Sequence, residues 1–236
     1  MITTAIVSGG MDSIALLYQM QTEIIEVVSF DYGQRHKKEL VFAKWHCDAL
    51  EKKHTVIDLS SITRSLTGSA LTDDSVDVPE GHYAEDNMKQ TVVPNRNAVM
   101  LASAFAIAAA NGSRLVATAV HAGDHFVYPD CRPEFIEAFD EMQQCALGEL
   151  WDVRLHAPFA HRTKADIAKI GKVNHVPFDK TWSCYKGGDI HCGRCGTCVE
   201  RREAFALADV FDPTEYADPD YWYEECKKAG TYEESQ

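Results

Sequence analysis

Short apolar runs alternate with stretches of helical period along the first half of the chain. Ala5-Ile6-Val7 reads as a strand, and the segment from Asp12 places apolar side chains at Ile14, Leu16, Leu17 and Met20, the spacing of one helix face. Residues 24–30 form a second strand, 35–50 a second helix, and Thr55-Val56-Ile57 a third strand. Strand and helix in alternation predict a doubly wound α/β fold, a mostly parallel sheet covered on both faces. Residues 60–90, with Gly68, Asp73, Asp74, Pro79 and Gly81, lack a sustained period and read as an irregular insertion near the site. Residues 97–110 are alanine-rich and apolar all round, which predicts a buried helix stopped at Asn111-Gly112 and followed by a strand over 115–120.

Helices are expected over 133–147, with Pro133 in the first turn, over 164–171 and over 199–208. The chain divides into an α/β domain (1–175), a segment packed on it (176–210) and an acidic, aromatic, loosely packed tail (211–236).

Between the first strand and first helix lies Ser8-Gly9-Gly10-Met11-Asp12-Ser13. Two adjacent glycines let the backbone take positive φ and approach an anion closely, and Asp12 and Ser13 are suited to cap the helix. Free amides at the positive helix end then face phosphates. Taken alone, the same segment also fits an ordinary strand-to-helix turn.

At 236 residues and 45% hydrophobic, the chain is long enough for one substantial core. A formal charge of -13 argues against broad contact with a nucleic-acid backbone and favours small anionic substrates held by a few local donors. No apolar stretch approaches the ~20 residues of a membrane span, and Met1-Ile2-Thr3-Thr4 runs into a strand without a leader, so a soluble, cytoplasmic protein is expected. Four cysteines cluster at Cys184, Cys192, Cys195 and Cys198, whereas Cys47, Cys131, Cys145 and Cys226 are scattered and read as buried or inert. Four soft ligands at this spacing suit one closed, structural zinc site, ahead of an iron–sulfur cluster or unligated thiols. Lys186, Arg194, Arg201 and Arg202 lie near enough in sequence to offset the thiolate charge, and His191 is placed beside the ligands or at the surface.

The loop from Ser8 to Ser13 resembles the pyrophosphatase (PP) loop of the N-type ATP pyrophosphatases, which activate an oxygen by adenylation. Further segments resemble the 7-cyano-7-deazaguanine synthase family of the queuosine pathway. They are Phe30-Asp31-Tyr32-Gly33-Gln34-Arg35-His36, Ser69-Ala70-Leu71-Thr72-Asp73-Asp74, Tyr128-Pro129-Asp130-Cys131-Arg132-Pro133-Glu134-Phe135 and Trp182-Ser183-Cys184-Tyr185-Lys186-Gly187-Gly188, followed by the cysteine triplet. The likeness spans residues 6–205.

That resemblance implies a nucleotide-binding fold and an ATP-dependent ligase that joins ammonia to 7-carboxy-7-deazaguanine and carries the amide on to the nitrile. It further implies Mg2+ with the ATP, a structural Zn2+, a homodimer, and a free base rather than a nucleic acid as substrate. By motif, Ser8, Gly9, Gly10, Met11, Asp12 and Ser13 hold the leaving pyrophosphate, and Asp12 places magnesium or merely caps the helix. Arg96 meets phosphate or carboxylate, or forms a surface ion pair; Lys164 stands near the reaction, or is an exposed first-turn lysine. Asp130 accepts from the guanine-like edge, Arg132 meets the substrate carboxylate, Gln34, Arg35 and His36 line the substrate and nucleotide site, and Phe126 and Tyr128 stack on the base.

Two departures stand near the implied substrate. Where the family pattern reads Pro-Gly-Arg-Asn, this chain has Pro94-Asn95-Arg96-Asn97, and asparagine takes positive φ with modest strain, so the backbone is expected to hold. Where it reads Asp-Tyr-Ser-Gly-Tyr, this chain has Asp124-His125-Phe126-Val127-Tyr128, whose bulk is expected to reshape the base pocket, stop the reaction at the amide or admit another acceptor. The competing readings are an adenylating enzyme acting on tRNA, opposed by the acidic balance, and a zinc-stabilised binding module, opposed by the intact Ser8 to Ser13, Arg96 and Lys164.

Overall fold

In the computed structural model, which describes residues 1–63 and 65–232, the chain runs β1 (Thr3–Ile6), α1 (Met11–Gln19), β2 (Ile24–Asp31), α2 (Lys38–Ala49), β3 (Lys53–Asp58) and α3 (Ser60–Thr63). It continues through α4 (Arg96–Asn111), β4 (Leu115–Ala117), α5 (Pro133–Leu147), β5 (Arg154–His156), α6 (Lys164–Val173), α7 (Gly196–Ala208) and α8 (Tyr221–Ala229). The strands pair in parallel in the order β3-β2-β1-β4-β5, with Ala5 opposite Val27 on one side and Ala117 on the other. Strand order reverses between β1 and β4. Loops leaving their carboxyl ends diverge there and open the crevice in which such sheets hold ligands.

Each face of the sheet has its own core. Ala5, Val7, Ile14, Leu17, Ile167 and Phe205 bring α1, α6 and α7 together on one face, and Leu101, Phe105, Val116 and Phe139 seat α4 and α5 on the other. The doubly wound expectation holds. α4 differs from the all-round burial its composition suggests: Leu101, Ala104, Phe105 and Ala108 face the core while Ala102, Ala106 and Ala110 are exposed. Alanine exposes little apolar area and favours helix anyway, so an exposed alanine face costs little. Gly112 ends α4 at φ 78°, as Asn111-Gly112 predicted.

β4 stops at Ala117, short of the expected residue 120, and residues 118–120 turn into the crevice wall. β5, three residues at the sheet edge, is too short to show a period.

Described residues 65–90 of the irregular segment pack over the cysteine-rich loop. Ala70 and Val78 share a core with Trp182, Cys184 and Cys195, and the Gly81 amide donates to the Arg194 carbonyl. The expectation of a loose tail is corrected by packing. Tyr216, Glu225 and Cys226 are buried, and Asp212 is enclosed against Arg201. Gly193, at φ 79°, lets this segment in, because a Cβ there would lie 1.9 Å from the Asp218 carbonyl oxygen. Among the described residues no helix is long and apolar enough to cross a membrane.

Candidate active site

The loop from Ser8 to Ser13 owes its shape to internal hydrogen bonds. Ser13 Oγ accepts from the Ser8 and Gly9 amides at 3.1 and 3.2 Å and donates to the Gly10 carbonyl at 3.0 Å. Gly9 sits at φ 101°, and a Cβ there would lie 2.0 Å from the Glu39 carbonyl oxygen, so α2 can approach only a glycine. Contrary to the capping expectation, neither Asp12 nor Ser13 caps α1. Its N-cap is Gly10, no side chain satisfies the first turn, and Gly10, Met11, Asp12 and Ser13 all line the crevice. Bare first-turn amides at a helix N-terminus are an anion site. The cleft they border is open to solvent.

Beside these amides lies a buried polar network. Lys164 Nζ donates to Glu200 Oε2 at 2.6 Å and lies 3.3 Å from Asp12 Oδ2. Thr163, whose Oγ1 accepts from the Asp166 amide, caps α6 and so sets Lys164 in its first turn. Burial would lower the Lys164 pKa, but Asp12, Glu200 and Asp124 outweigh it and hold the ammonium well above its ordinary value. Burial raises the Glu200 carboxyl against the pull of Lys164. His121 Nδ1 accepts from the Gly123 amide at 3.1 Å, which leaves the proton of the neutral ring on Nε2, 3.8 Å from Asp12 Oδ2 and 3.6 Å from Asp124 Oδ2. Three carboxylates thus surround one lysine, and Asp12 Oδ1 is buried with no hydrogen-bond partner.

Arg96 stands across the cleft in a box of phenols. Its Nη1 donates to Tyr32 Oη at 3.3 Å, and its guanidinium lies 5.2 Å from the Tyr32 ring and 5.9 Å from that of Tyr128. Asn95, the predicted substitute for glycine, holds the left-handed conformation at φ 58° that starts α4 there. Tyr128 Oη is hydrogen-bonded to Tyr185 Oη at 3.2 Å, and both rings line the cleft. Glu39, on α2, lines the same wall, and burial pushes its carboxyl up to about 7 despite Arg96.

The remaining candidates sit elsewhere. Asp130 Oδ2 accepts from the Asn97 amide at 3.0 Å and so holds the start of α4 rather than lining the cleft. Arg132 is exposed, its Nε donating to the His125 carbonyl at 3.0 Å. Gln34 braces its own turn through the Tyr32 amide and Phe30 carbonyl, and Arg35 donates to the Asp73 and Val76 carbonyls. With His36 these two line a smaller cavity next to the cleft. Phe126 is 76% exposed, and Val127 packs with Val120 and Cys131 behind the wall, so the bulk added by this pair stays out of the cleft.

Behind the cleft, the four clustered cysteines gather their sulfurs within 4.8 Å of one another. Cys192 and Cys198 Sγ are 3.9 Å apart, close to the ~3.8 Å edge of a tetrahedron with Zn–S bonds of ~2.3 Å. Amides of Cys192, Arg194 and Cys195 donate to sulfur at 3.3 to 3.4 Å, which favours thiolate. The donor set is compatible with a metal ion. The basic residues expected to offset its charge are engaged elsewhere: Lys186 with Glu80, Arg194 with Glu80 and Asp218, Arg201 with Asp212, and Arg202 over Tyr216 and Trp222. His191 is buried, not at the surface; its Nε2 accepts from the Ser183 amide, and burial pushes its pKa down to about 3. A second cluster, His82, Glu203 and Cys226, is closed differently. The Ala84 amide donates to His82 Nδ1, so Nε2 carries the proton toward Glu203 Oε2 at 3.4 Å.

The cysteine segment also reaches the phosphate loop, since the Trp182 amide donates to the Gly9 carbonyl at 3.0 Å. His121, Glu200 and Glu39 escaped the sequence reading. All three stand within three residues of a motif without belonging to it: Glu39 after His36, Glu200 after Cys198 and His121 before Asp124.

A family model described as queuosine biosynthesis protein QueC matches residues 3–209. The 7-cyano-7-deazaguanine synthase of Ruegeria sp. is 61% identical over 222 residues, 93% of this chain and 95% of that protein. Its counterpart from Brucella ovis is 61% identical with the same coverage of both chains. Among solved structures, the NH3-dependent NAD synthetase from Campylobacter jejuni is 14% identical at a TM-score of 0.45, covering 100% of this chain and 89% of that one. A model match through the loop, both cleft walls and the cysteines, with relatives alike along nearly their whole length, means that the chain belongs to the queuosine biosynthesis protein QueC family.

Proposed function

We propose that this enzyme converts 7-carboxy-7-deazaguanine, ammonia and ATP to 7-cyano-7-deazaguanine in the cytoplasm. The observation that carries the reading is the bare first turn of α1 opening into the same cleft as Asp12, Lys164 and Arg96. A carboxylate is a poor electrophile because oxide would have to leave, so transfer of AMP to it yields an acyl adenylate and frees pyrophosphate. Ammonia displaces AMP to give the amide, and a second adenylation lets the amide oxygen leave as the nitrile forms.

Pyrophosphate charge would build against the amides of Met11 to Ser13, with Lys164 as the nearby fixed cation. Asp12, with its partnerless Oδ1, and Asp124 fit a magnesium ion, which when bound would screen the phosphate charge. Arg96 would meet the substrate carboxylate from the tyrosine wall. Cys184, Cys192, Cys195 and Cys198 would hold one zinc ion whose four positions are filled, so it shapes the cleft wall and does not touch substrate. Metal analysis of the purified protein should give one zinc per chain, lost in a Cys195→Ser variant. The same reading includes a homodimer, which sedimentation velocity would show as twice the 26.3 kDa chain mass.

Mass spectrometry of the products from 7-carboxy-7-deazaguanine, ATP, magnesium and an ammonium salt tests the whole. Nitrile with AMP is expected. Intact substrate with a folded, metal-loaded enzyme would overturn it.

A further inference from the structure

Next to the main cleft lies a small cavity with room for a water-sized molecule. Tyr32, Glu39 and Tyr185 line both spaces, so the Glu39 side chain stands on the partition between them. The far walls come from Gln34, Arg35, His36 and Leu71. His36 Nδ1 is buried there with no hydrogen-bond partner. Arg35 has spent its charge on the Asp73 and Val76 carbonyls and on Asp74, 3.6 Å from Nε. Among the described residues, no lysine, arginine or histidine lies within ion-pair distance of the Glu39 carboxylate, although it lines a cleft that contains Arg96.

A cavity of this size beside the reaction space suits the smallest substrate. We propose that the small cavity receives ammonium and that the Glu39 carboxylate takes a proton from it, releasing ammonia into the cleft. The inference rests on the proposed synthase reaction, in which ammonia must act as a nucleophile although in neutral water it is almost wholly ammonium, without a lone pair. One proton passes from ammonium to a Glu39 carboxylate oxygen. The freed lone pair forms the C–N bond at the acyl carbon as the C–O bond to AMP breaks and its electron pair leaves with AMP. The second proton shed on the way to the neutral amide goes to water at the cleft mouth.

The charged and titratable neighbours agree with this role. Facing Glu39 are Arg96 from α4, Cys184 and Tyr185 from the cysteine segment, and Tyr32, Arg35 and His36 from the turn between β2 and α2. Burial raises both phenols, Tyr32 to about 12, so they remain protonated and Glu39 is the acid shared by the two spaces. Standing on the partition, the Glu39 carboxylate can take a proton from the small cavity and return it to solvent through the cleft.

The test is Glu39→Gln, which keeps the shape and removes the base. Formation of amide from the acid, ATP and ammonium is compared with conversion of supplied amide to nitrile, a step that consumes no ammonia. Amide formation should fall roughly a hundredfold relative to nitrile formation at neutral pH. It should recover in mildly alkaline buffer, where free ammonia is abundant, and with hydroxylamine, a nucleophile already uncharged at neutral pH. Equal loss of both steps, or amide formation at the wild-type rate, would overturn the role of Glu39. Wild-type enzyme that forms neither amide nor nitrile would instead refute the synthase reading.

Discussion

Glu200 and Arg201 are neighbours on α7, both buried, and they serve opposite ends. Arg201 is fully enclosed and every nitrogen of its guanidinium is engaged. Nε and Nη2 meet Asp212, Nη1 donates to Thr181 Oγ1 at 2.7 Å, and Nη2 also donates to the Phe178 carbonyl at 3.1 Å. Asp212 is completed by Tyr216 Oη at 2.7 Å and the Thr214 amide. Glu200, one residue earlier, reaches Lys164 in a network that carries more carboxylates than cations and leaves Asp12 Oδ1 bare. Burial alone therefore does not separate scaffold from site. A closed network holds the fold, and one with a deficit of positive charge awaits a ligand.

The largest expected effect falls on the closed pair. Asp212→Asn removes one charge from a buried pair and should cost about 3–5 kcal/mol in urea unfolding. Burial would raise the Asp212 pKa, but Arg201 and hydrogen bonds from Tyr216 and Thr214 outweigh it and hold it below its ordinary value. The stability it contributes is therefore complete above the unfolded carboxyl value of about 3.9 and is lost as pH falls through the lower folded value. The acid limb of the stability curve should flatten in the variant.

On the open network the order of effects reverses. Lys164→Met should lower kcat/KM by about 10²–10³-fold, the scale of a lost transition-state donor. It also strands Glu200, so stability should fall, and a K164M/E200Q double variant should regain stability without regaining activity. A double variant that recovered both would place Lys164 in the scaffold and erase the contrast.

Next comes the loop that joins the two. Gly9→Ala puts a methyl group against the Glu39 carbonyl at positive φ and should cost more than about 1 kcal/mol, with pyrophosphate release impaired beyond the stability loss.

The loop was legible because its chemistry is local: adjacent glycines between a strand and a helix can be read from six residues. Lys164 and Arg96 were legible by motif and do line the cleft. Asp130 and Arg132 were equally visible as motif residues, yet their side chains turn to the Asn97 amide and the His125 carbonyl. A motif reports which residues occur together, and only the local backbone decides which way each points. Glu200 had only its place two residues past Cys198 to mark it. One helical step separates it from Arg201, and only the packing of α7 on α6 sends the first to Lys164 and the second to Asp212. The packed segment 212–226 was missed for a related reason, since its acidic residues look solvated until Arg201 and Arg194 are seen to meet Asp212 and Asp218.

The smallest predicted effect tests how far a departure from a family pattern matters. Phe126-Val127 in place of Ser-Gly looked able to reshape the base pocket, but the ring of Phe126 is largely in solvent, and Val127 packs behind the wall. Asp124 and Tyr128, which flank the change and do line the cleft, are the residues the pattern shares. Phe126→Ser should therefore alter stability by no more than about 0.5 kcal/mol, as for an ordinary surface substitution, and leave the ratio of nitrile to amide unchanged. The comparison sharpens if Val127→Gly is measured beside it. That change empties a packed position and should lower stability, again without moving the product ratio, because neither side chain lines the cleft. A shift toward amide in either variant would mean that the 122–128 turn moves when substrate binds and brings Phe126 into the cleft.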